Sequence, residues 1–345
     1  MTKIAIIGSE KSGKTTLAGK LGKKGNVTDI TMYDYAKNDR ILTTIDATGY
    51  PVSVKSLVTA LNLSDIALLC IPPSGLDQFA AECIIALDLM QYKHGIVVLT
   101  KSDTSYPLAQ EELREKLQKV TKGTALENWD YISVSTTSFE GMEELKELIF
   151  SVGDRADQKL RELDSRQTRV IIDQSFNVTG IGCVVLGVVM QGTLNAKDKM
   201  IAYPAKKELE IRSIQMHDVD VKSAPCGARV GLALKGVQSK DIDRGFVISR
   251  EEQVATDLVL RCTLSPLAKE FNVNDMLHLY TGLQSSPVRV TEIVEGDAKK
   301  ETAKPAKEYL LKLSGSKEIA YSKEDRFILA NLDEKQRFVA FGHEQ

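Results

Sequence analysis

The residues best placed to do chemistry stand near the start of the chain, Gly8-Ser9-Glu10-Lys11-Ser12-Gly13-Lys14-Thr15. Two glycines five apart, followed by Lys-Thr, are what a triphosphate cradle requires. The glycines let the backbone curl so that consecutive N–H groups face one point, and the helix that follows adds its positive end. Lys14 then reaches the β- and γ-phosphates and neutralises charge during transfer, and the Thr15 hydroxyl holds Mg²⁺. The run from Gly8 to Thr16 is therefore read as a nucleotide-binding segment. Asp46-Ala47-Thr48-Gly49 is the second constellation. A carboxylate there can hold Mg²⁺ through water, and the Gly49 N–H can sense the γ-phosphate. Taken alone these four residues are also a plain turn; their place soon after the cradle gives them meaning.

Thr100-Lys101-Ser102-Asp103 is the third. Asp103 can accept from both N1–H and the 2-amino group of guanine, donors that adenine lacks. The aliphatic stem of Lys101 can lie along the base plane. Ser133-Val134-Ser135-Thr136 fits a loop whose backbone N–H groups support the guanine O6. A second hydroxyl for Mg²⁺ is sought between Thr15 and Asp46. Thr28 is the candidate, with Thr31 second.

These groups need a scaffold that brings several strand ends together. Apolar runs at Ile4–Ile7, Ile66–Ile71, Gly95–Leu99 and Tyr131–Val134 alternate with helical patterns at Lys14–Leu21, Val54–Leu63, Gln78–Met90, Leu108–Val120 and Met142–Phe150. Such alternation predicts an α/β domain over residues 1–153 with a mostly parallel sheet, and a hairpin-like pair, Asp29–Tyr35 and Ile41–Asp46, precedes the acidic motif. A charged connector of helical composition follows at 154–167. From Thr168 the pattern changes to short glycine-punctuated strands, predicting two all-β barrels or sandwiches over 168–252 and 253–345. Residues 326–341 read as a hairpin, and the polar Gly296–Lys307 as a mobile loop.

The bulk composition excludes several classes. A net charge of −2 gives no global field for nucleic acid, so any RNA contact must be local. Five cysteines without a Cys-x-x-Cys pair read as reduced core thiols, and no apolar stretch is long enough to span a bilayer. A cytoplasmic protein with no membrane partner and no signal peptide is expected. Trp129 is read as packing.

With these motifs followed by two β-domains, the chain resembles the translational GTPases of the elongation factor Tu class. The likeness is most specific at 177–192 (Asn-Val-Thr-Gly-Ile-Gly-Cys-Val-Val-Leu-Gly-Val-Val-Met-Gln-Gly), then at Ile211–Asp218, Gly227–Val237 and Asp241-Ile242-Asp243-Arg244-Gly245. Among that class the short first switch is most similar to the selenocysteine-type factors and their archaeal relatives. The resemblance implies GTP and GDP as ligands with Mg²⁺, GTPase activity, and delivery of a specialised aminoacyl-tRNA to the ribosome by a monomer. A nucleotide-exchange factor belongs to the partners it allows. It also implies that Gln215, His217 and Asp218 lie on the segment that meets the tRNA end. Lys206-Lys207 and Lys299-Lys300 are further phosphate contacts to weigh against ordinary surface lysines.

The departures from the family are as informative. Thr100 stands where the base-reading motif usually has Asn. Tyr50 stands where the family usually has the His that positions the attacking water; a phenol can hydrogen-bond water but lacks imidazole's protonation chemistry near neutral pH. Tyr50 is thus the residue expected at the catalytic position, with slow intrinsic hydrolysis. Glu10-Lys11 replaces the usual Val-Asp, removing an apolar gate residue; Lys11 could stand in for a monovalent cation or simply face solvent. Two other functions stay open: an initiator-tRNA-binding factor, and a regulatory GTP/GDP-binding protein without tRNA delivery or efficient hydrolysis.

Overall fold

The computed structural model describes residues 2–37 and 40–345. The chain divides into two compact units, Met1–Asp157 with Leu332–Phe338, and Gln158–Asn331 with Val339–Gln345.

The first unit is built on a seven-stranded sheet. Its strands are β1 (Thr2–Ile7), β2 (Lys23–Val27), β3 (Thr31–Lys37), β4 (Arg40–Asp46), β5 (Ile66–Ile71), β6 (Gly95–Leu99) and β7 (Asp130–Ser133), in the order β2-β3-β4-β1-β5-β6-β7. β4, β1, β5, β6 and β7 run parallel, while β3 pairs antiparallel with β4 and with β2. β1, β5 and β6 are buried at every residue, which is why β5, β6 and the Ile4–Ile7 part of β1 read as apolar runs. The helices are α1 (Lys14–Leu21), α2 (Val54–Asn62), α3 (Gln78–Leu89), α4 (Pro107–Thr121) and α5 (Met142–Asp164). The Asp77 carboxylate caps α3, accepting from the Ala80 N–H at 2.8 Å, and Pro107 opens α4. Trp129 is packing, as expected: its ring lies so close to Gly95 that a Cβ there would meet it at 2.3 Å.

Three expectations change. β2 is an additional strand, lying in the polar Lys23-Lys24-Gly25-Asn26-Val27 where no apolar alternation marks it. α5 does not stop at Phe150 but continues through most of the expected connector to Asp164. The segment 296–307 is not a free loop. Ala298–Lys300 pairs with Ile293–Glu295, Thr302–Ala303 pairs with Phe271–Asn272, and Ala303 is fully buried. Its lysines neutralise neighbouring carboxylates, Lys299 with Glu292 at 2.5 Å and Lys307 with Glu295 at 2.6 Å.

The second unit holds two closed β-barrels. In the first, Lys199–Tyr203 pairs with both Val247–Ser249 and Lys207–Met216, closing a ring with Arg169–Val178, Gly182–Gln191 and Arg229–Lys235. In the second, Met276–Thr281 pairs with both Phe327–Ala330 and Gln284–Glu295, closing a ring with Phe338–Glu344, Gln253–Leu264 and Glu308–Tyr321. Leu258, Leu260, Cys262 and Leu264 point into that second barrel at alternate positions. Closure removes the unpaired edges an open sheet would leave. The two barrels share a buried ion cluster: Arg169 meets Glu252 at 2.7 Å and both carboxylate oxygens of Asp325 at 2.8 and 2.5 Å.

No helix among the described residues is long and apolar enough to cross a membrane. Cys70, Cys83, Cys183 and Cys262 are buried free thiols, and Cys226 is partly exposed.

Candidate nucleotide site

β1 delivers the chain onto Gly8, where φ is +150° and a Cβ would meet the Cys70 carbonyl oxygen at 2.5 Å and Ser12 Oγ at 2.7 Å. Gly13, at φ +90°, opens α1. Only glycine fits both the turn and the close approach at Gly8. Between them the loop closes on itself. The Ser12 N–H donates to the Ser9 carbonyl at 3.3 Å, and the buried Lys14 ammonium donates to the same oxygen at 3.2 Å. Lys14 is thereby held along the crown of the loop. Ser9 and Ser12 are buried, while Glu10, Lys11, Thr15 and Thr16 are exposed. Lys11 takes a left-handed φ of 59°.

Asp46 ends β4 beside β1 and is fully buried. The Thr15 hydroxyl donates to its Oδ2 at 2.6 Å, whereas Oδ1 has no partner among the described residues. Burial raises the Asp46 carboxyl above its ordinary value, with Thr15, Lys14 and Lys24 pulling it back. A buried carboxylate with one orphaned oxygen, joined to a threonine hydroxyl, is a donor set that suits a small hard cation. Thr15 and Asp46 therefore fit Mg²⁺. Thr28 does not join them: its hydroxyl is engaged in its own turn, donating to the Ile30 carbonyl at 3.0 Å. The register places Thr31 opposite Asp46, with its hydroxyl 3.3 Å from that of Thr48. Thr31 is thus the better positioned second hydroxyl.

Gly49 also departs from expectation. Its N–H donates to the Asp29 carbonyl at 2.8 Å instead of standing free for a phosphate. A Cβ at Gly49 would meet Ser56 Oγ at 2.3 Å and the Asp29 carbonyl oxygen at 3.0 Å, so a larger residue there would crowd the turn. Tyr50 is the larger correction. Its side chain is buried, and its hydroxyl is shared between the Phe79 carbonyl and Glu82 Oε2, each at 2.8 Å. Burial, together with the neighbouring Cys83 and Glu82, pushes the phenol far above its ordinary value. It is a neutral donor committed to α3, not a group free to hold water.

The base-reading motif is tied to the phosphate loop. Thr100 Oγ1 donates to the Ser12 carbonyl at 2.5 Å, and Lys101 Nζ donates to the Lys11 carbonyl at 2.7 Å. Asp103 is exposed in the short turn Ser102–Thr104. The Ser102 N–H donates to the Val134 carbonyl at 3.1 Å, joining this motif to the loop after β7. Within that loop the amides of Val134 and Ser135 are already used, by Leu99 at 2.8 Å and Glu140 at 3.0 Å. Neither of those two supports a base oxygen here. Ser135 Oγ instead organises the loop by accepting from the Thr137 and Ser138 N–H groups, and Gly141 passes so close to the Ser133 carbonyl that a Cβ there would meet its oxygen at 2.2 Å.

The strand ends of β1, β4 and β6, with the loop after β7, thus bring together Gly8–Thr15, Asp46, Thr100–Asp103 and Ser133–Ser135. This is the carboxyl edge of a parallel sheet, where such folds bind ligands. In the second unit, Gln215 Nε2 donates to Asp220 at 2.9 Å, and His217 and Asp218 form a tight hairpin turn with φ of 50° and 61°. All three are exposed.

Three participants escaped the sequence reading: Asp29, Glu82 and Arg337. Glu82 carried a signal, a lone acid within the apolar Ala80–Leu87 stretch. Asp29 and Arg337 carried none, because backbone capture and long-range pairing leave no local pattern.

The family model for elongation factor Tu domain 2 matches residues 182–249. An uncharacterized protein of Methanocaldococcus jannaschii is 30% identical over 326 residues, covering 94% of both chains. The selenocysteine-specific elongation factor of the same organism is 26% identical over 309 residues, covering 83% of this chain. The match takes in 65% of that factor's own length. Translation elongation factor SelB from Methanococcus maripaludis, solved with the GTP analogue GppNHp, superposes with a TM-score of 0.84. It covers 100% of this chain and 78% of its own at 22% identity, a likeness of fold.

Proposed function

Because the chain belongs to the elongation factor Tu class of translational GTPases, we propose that it is a GTP-gated carrier of a specialised aminoacyl-tRNA working with the ribosome in the cytoplasm. The observation that carries the reading is the convergence of the phosphate loop, the Thr15–Asp46 pair and the Thr100–Asp103 turn on one sheet edge. Guanine is chosen by Asp103, the phosphates are held by the Gly8–Thr15 backbone and Lys14, and Mg²⁺ is held by Thr15 and Asp46 with Thr31. Mg²⁺ supplies charge neutralisation on the β- and γ-phosphates when bound. The bound GTP analogue of the structural relative supports guanine nucleotide as the ligand. The exposed Gln215, His217 and Asp218 are offered as contacts for the tRNA end, and an exchange factor as a partner.

The test is the rate of ester hydrolysis of a panel of aminoacyl-tRNAs with the protein, in a non-hydrolysable GTP analogue and in GDP. Protection of one or a few species by the GTP form alone supports a carrier and names its cargo. Uniform lack of protection, selenocysteyl- and pyrrolysyl-tRNA included, refutes it. A second reading, a regulatory GTP/GDP-binding protein with little hydrolysis, draws on the pinned Tyr50. It predicts tight guanine nucleotide binding with no tRNA protection.

A further inference from the structure

The loop after Asp46 leads into a buried polar cluster that the nucleotide reading does not use. Glu82, on α3, is a carboxylate with 2% side-chain exposure. Its Oε1 accepts from the Arg337 backbone N–H at 3.1 Å and from Arg337 Nε at 2.9 Å. Its Oε2 accepts from Arg337 Nη2 at 2.5 Å and from the Tyr50 hydroxyl at 2.8 Å. The remaining arm of the guanidinium, Nη1, donates to the Pro51 carbonyl at 2.8 Å. Arg337 also lies over the rings of Tyr50 and Phe79, at 5.6 and 5.9 Å from their centroids. Arg337 belongs to the Leu332–Phe338 segment, which is part of the same unit as the phosphate loop.

The cluster reaches the nucleotide site through the turn itself. Tyr50 is bonded back into it, its N–H donating to the Ala47 carbonyl at 3.0 Å, and the turn begins at the Mg²⁺-ligand candidate Asp46. Asp46 in turn accepts from the Thr15 hydroxyl, at the end of the phosphate loop, at 2.6 Å. Bidentate Arg–carboxylate pairs fix geometry as well as distance, so the guanidinium sets where Glu82, Tyr50 and Pro51 can be.

We propose that Tyr50, Glu82 and Arg337 are positioning residues, a pin that holds the Asp46–Pro51 turn against the phosphate loop and thereby sets how fast nucleotide leaves. The proposal rests on the nucleotide reading above. It assigns residue 50 a mechanical task in place of work on water. Removing Arg337 leaves the Glu82 carboxylate with the Tyr50 hydroxyl as its remaining donor from the pin and frees Pro51. The turn then loosens at the end away from Asp46.

The experiment is stopped-flow release of N-methylanthraniloyl-GDP from the full chain, with melting temperature recorded in parallel. Arg337→Met and Tyr50→Phe are expected to speed release about tenfold or more. Arg337→Lys, which can reach one oxygen of Glu82, restores part of the wild-type rate. The Arg337→Met/Tyr50→Phe double variant should be no faster than the faster single variant, because both cut one linkage. Tyr321→Phe, a buried tyrosine of the second unit bonded to Glu344, serves as the control for general destabilisation and should leave release unchanged. Release within twofold of wild type in Arg337→Met and Tyr50→Phe overturns the pin, whatever the melting temperature does. Equal acceleration by Tyr321→Phe overturns it too. Failure of the wild-type chain to bind the fluorescent nucleotide overturns the nucleotide reading itself, a result distinct from unchanged release.

Discussion

Thr100→Val is the most direct probe of how the base-reading turn supports the phosphate loop. Thr100 is 5% exposed, and its hydroxyl is the donor to the Ser12 carbonyl at 2.5 Å, with the Ile71 carbonyl further off at 3.3 Å. Valine preserves the shape, so no void opens, and the loss is confined to the hydrogen bond. A buried acceptor left without its donor costs about 1–3 kcal/mol. Ser12 sits one residue before Gly13, where the loop becomes helix, so that cost falls on the loop in its binding conformation. Nucleotide affinity is then expected to drop about 5- to 150-fold. The assay is equilibrium titration of fluorescent GDP in saturating Mg²⁺, with Thr100→Ser as the hydroxyl-retaining control, expected to bind like wild type. The lost bond is between neutral groups, so the deficit should persist at high salt. Wild-type affinity in Thr100→Val would refute the reasoning and mean that the loop's own backbone bonds suffice to hold it.

Gly95→Ala forces a methyl group to 2.3–2.6 Å from three Trp129 ring atoms. It should destabilise the first unit by about 1–3 kcal/mol and shift the emission of the single tryptophan. Arg169→Met strands the Glu252 and Asp325 carboxylates in the second unit, a loss of about 3–5 kcal/mol readable as a lower denaturant midpoint. Thiol alkylation of the native protein should begin at the partly exposed Cys226. Burial pushes the Cys83 thiol up to about 12. A raised pKa means less thiolate at any lower pH, so Cys83 should resist iodoacetamide at pH 8.5 and react only after unfolding. Fast labelling of Cys83 in the folded chain would contradict its burial.

The parts of the molecule that read clearly in sequence are those governed by local rules. β5 and β6 showed as uninterrupted apolar runs because both their faces are covered, and α1 began at Lys14 because the glycine loop must hand over to a helix there. Barrel strands such as Gln253–Leu264 showed through alternation. Segments whose partners are polar did not. The lysines of 299–307 looked like loop residues because their ion pairs with Glu292 and Glu295 are invisible without the pairing strands. Phosphate-loop geometry follows from residue type, so Gly8 and Gly13 could be placed in advance. The fate of a single N–H or hydroxyl depends on what happens to lie opposite. The Gly49 amide meets Asp29, the Thr28 hydroxyl turns to Ile30, and Tyr50 finds Glu82. Residue 50 shows the limit best, since nothing local records that an arginine 287 positions later would complete the buried site.

The first unit's sheet, unlike a closed barrel, ends on a full-length edge strand where chains could stick to one another. Its outer strand at the β2 end is Lys23-Lys24-Gly25-Asn26-Val27, with Lys23, Lys24 and Gly25 exposed. Two adjacent positive charges on an otherwise available ladder oppose stacking against the same strand of another copy, and glycine weakens whatever pairing begins. The composition that hid this strand from a pattern search is therefore also its protection. Replacing Lys23 and Lys24 by threonine would make the strand easier to recognise and the protein harder to keep in solution.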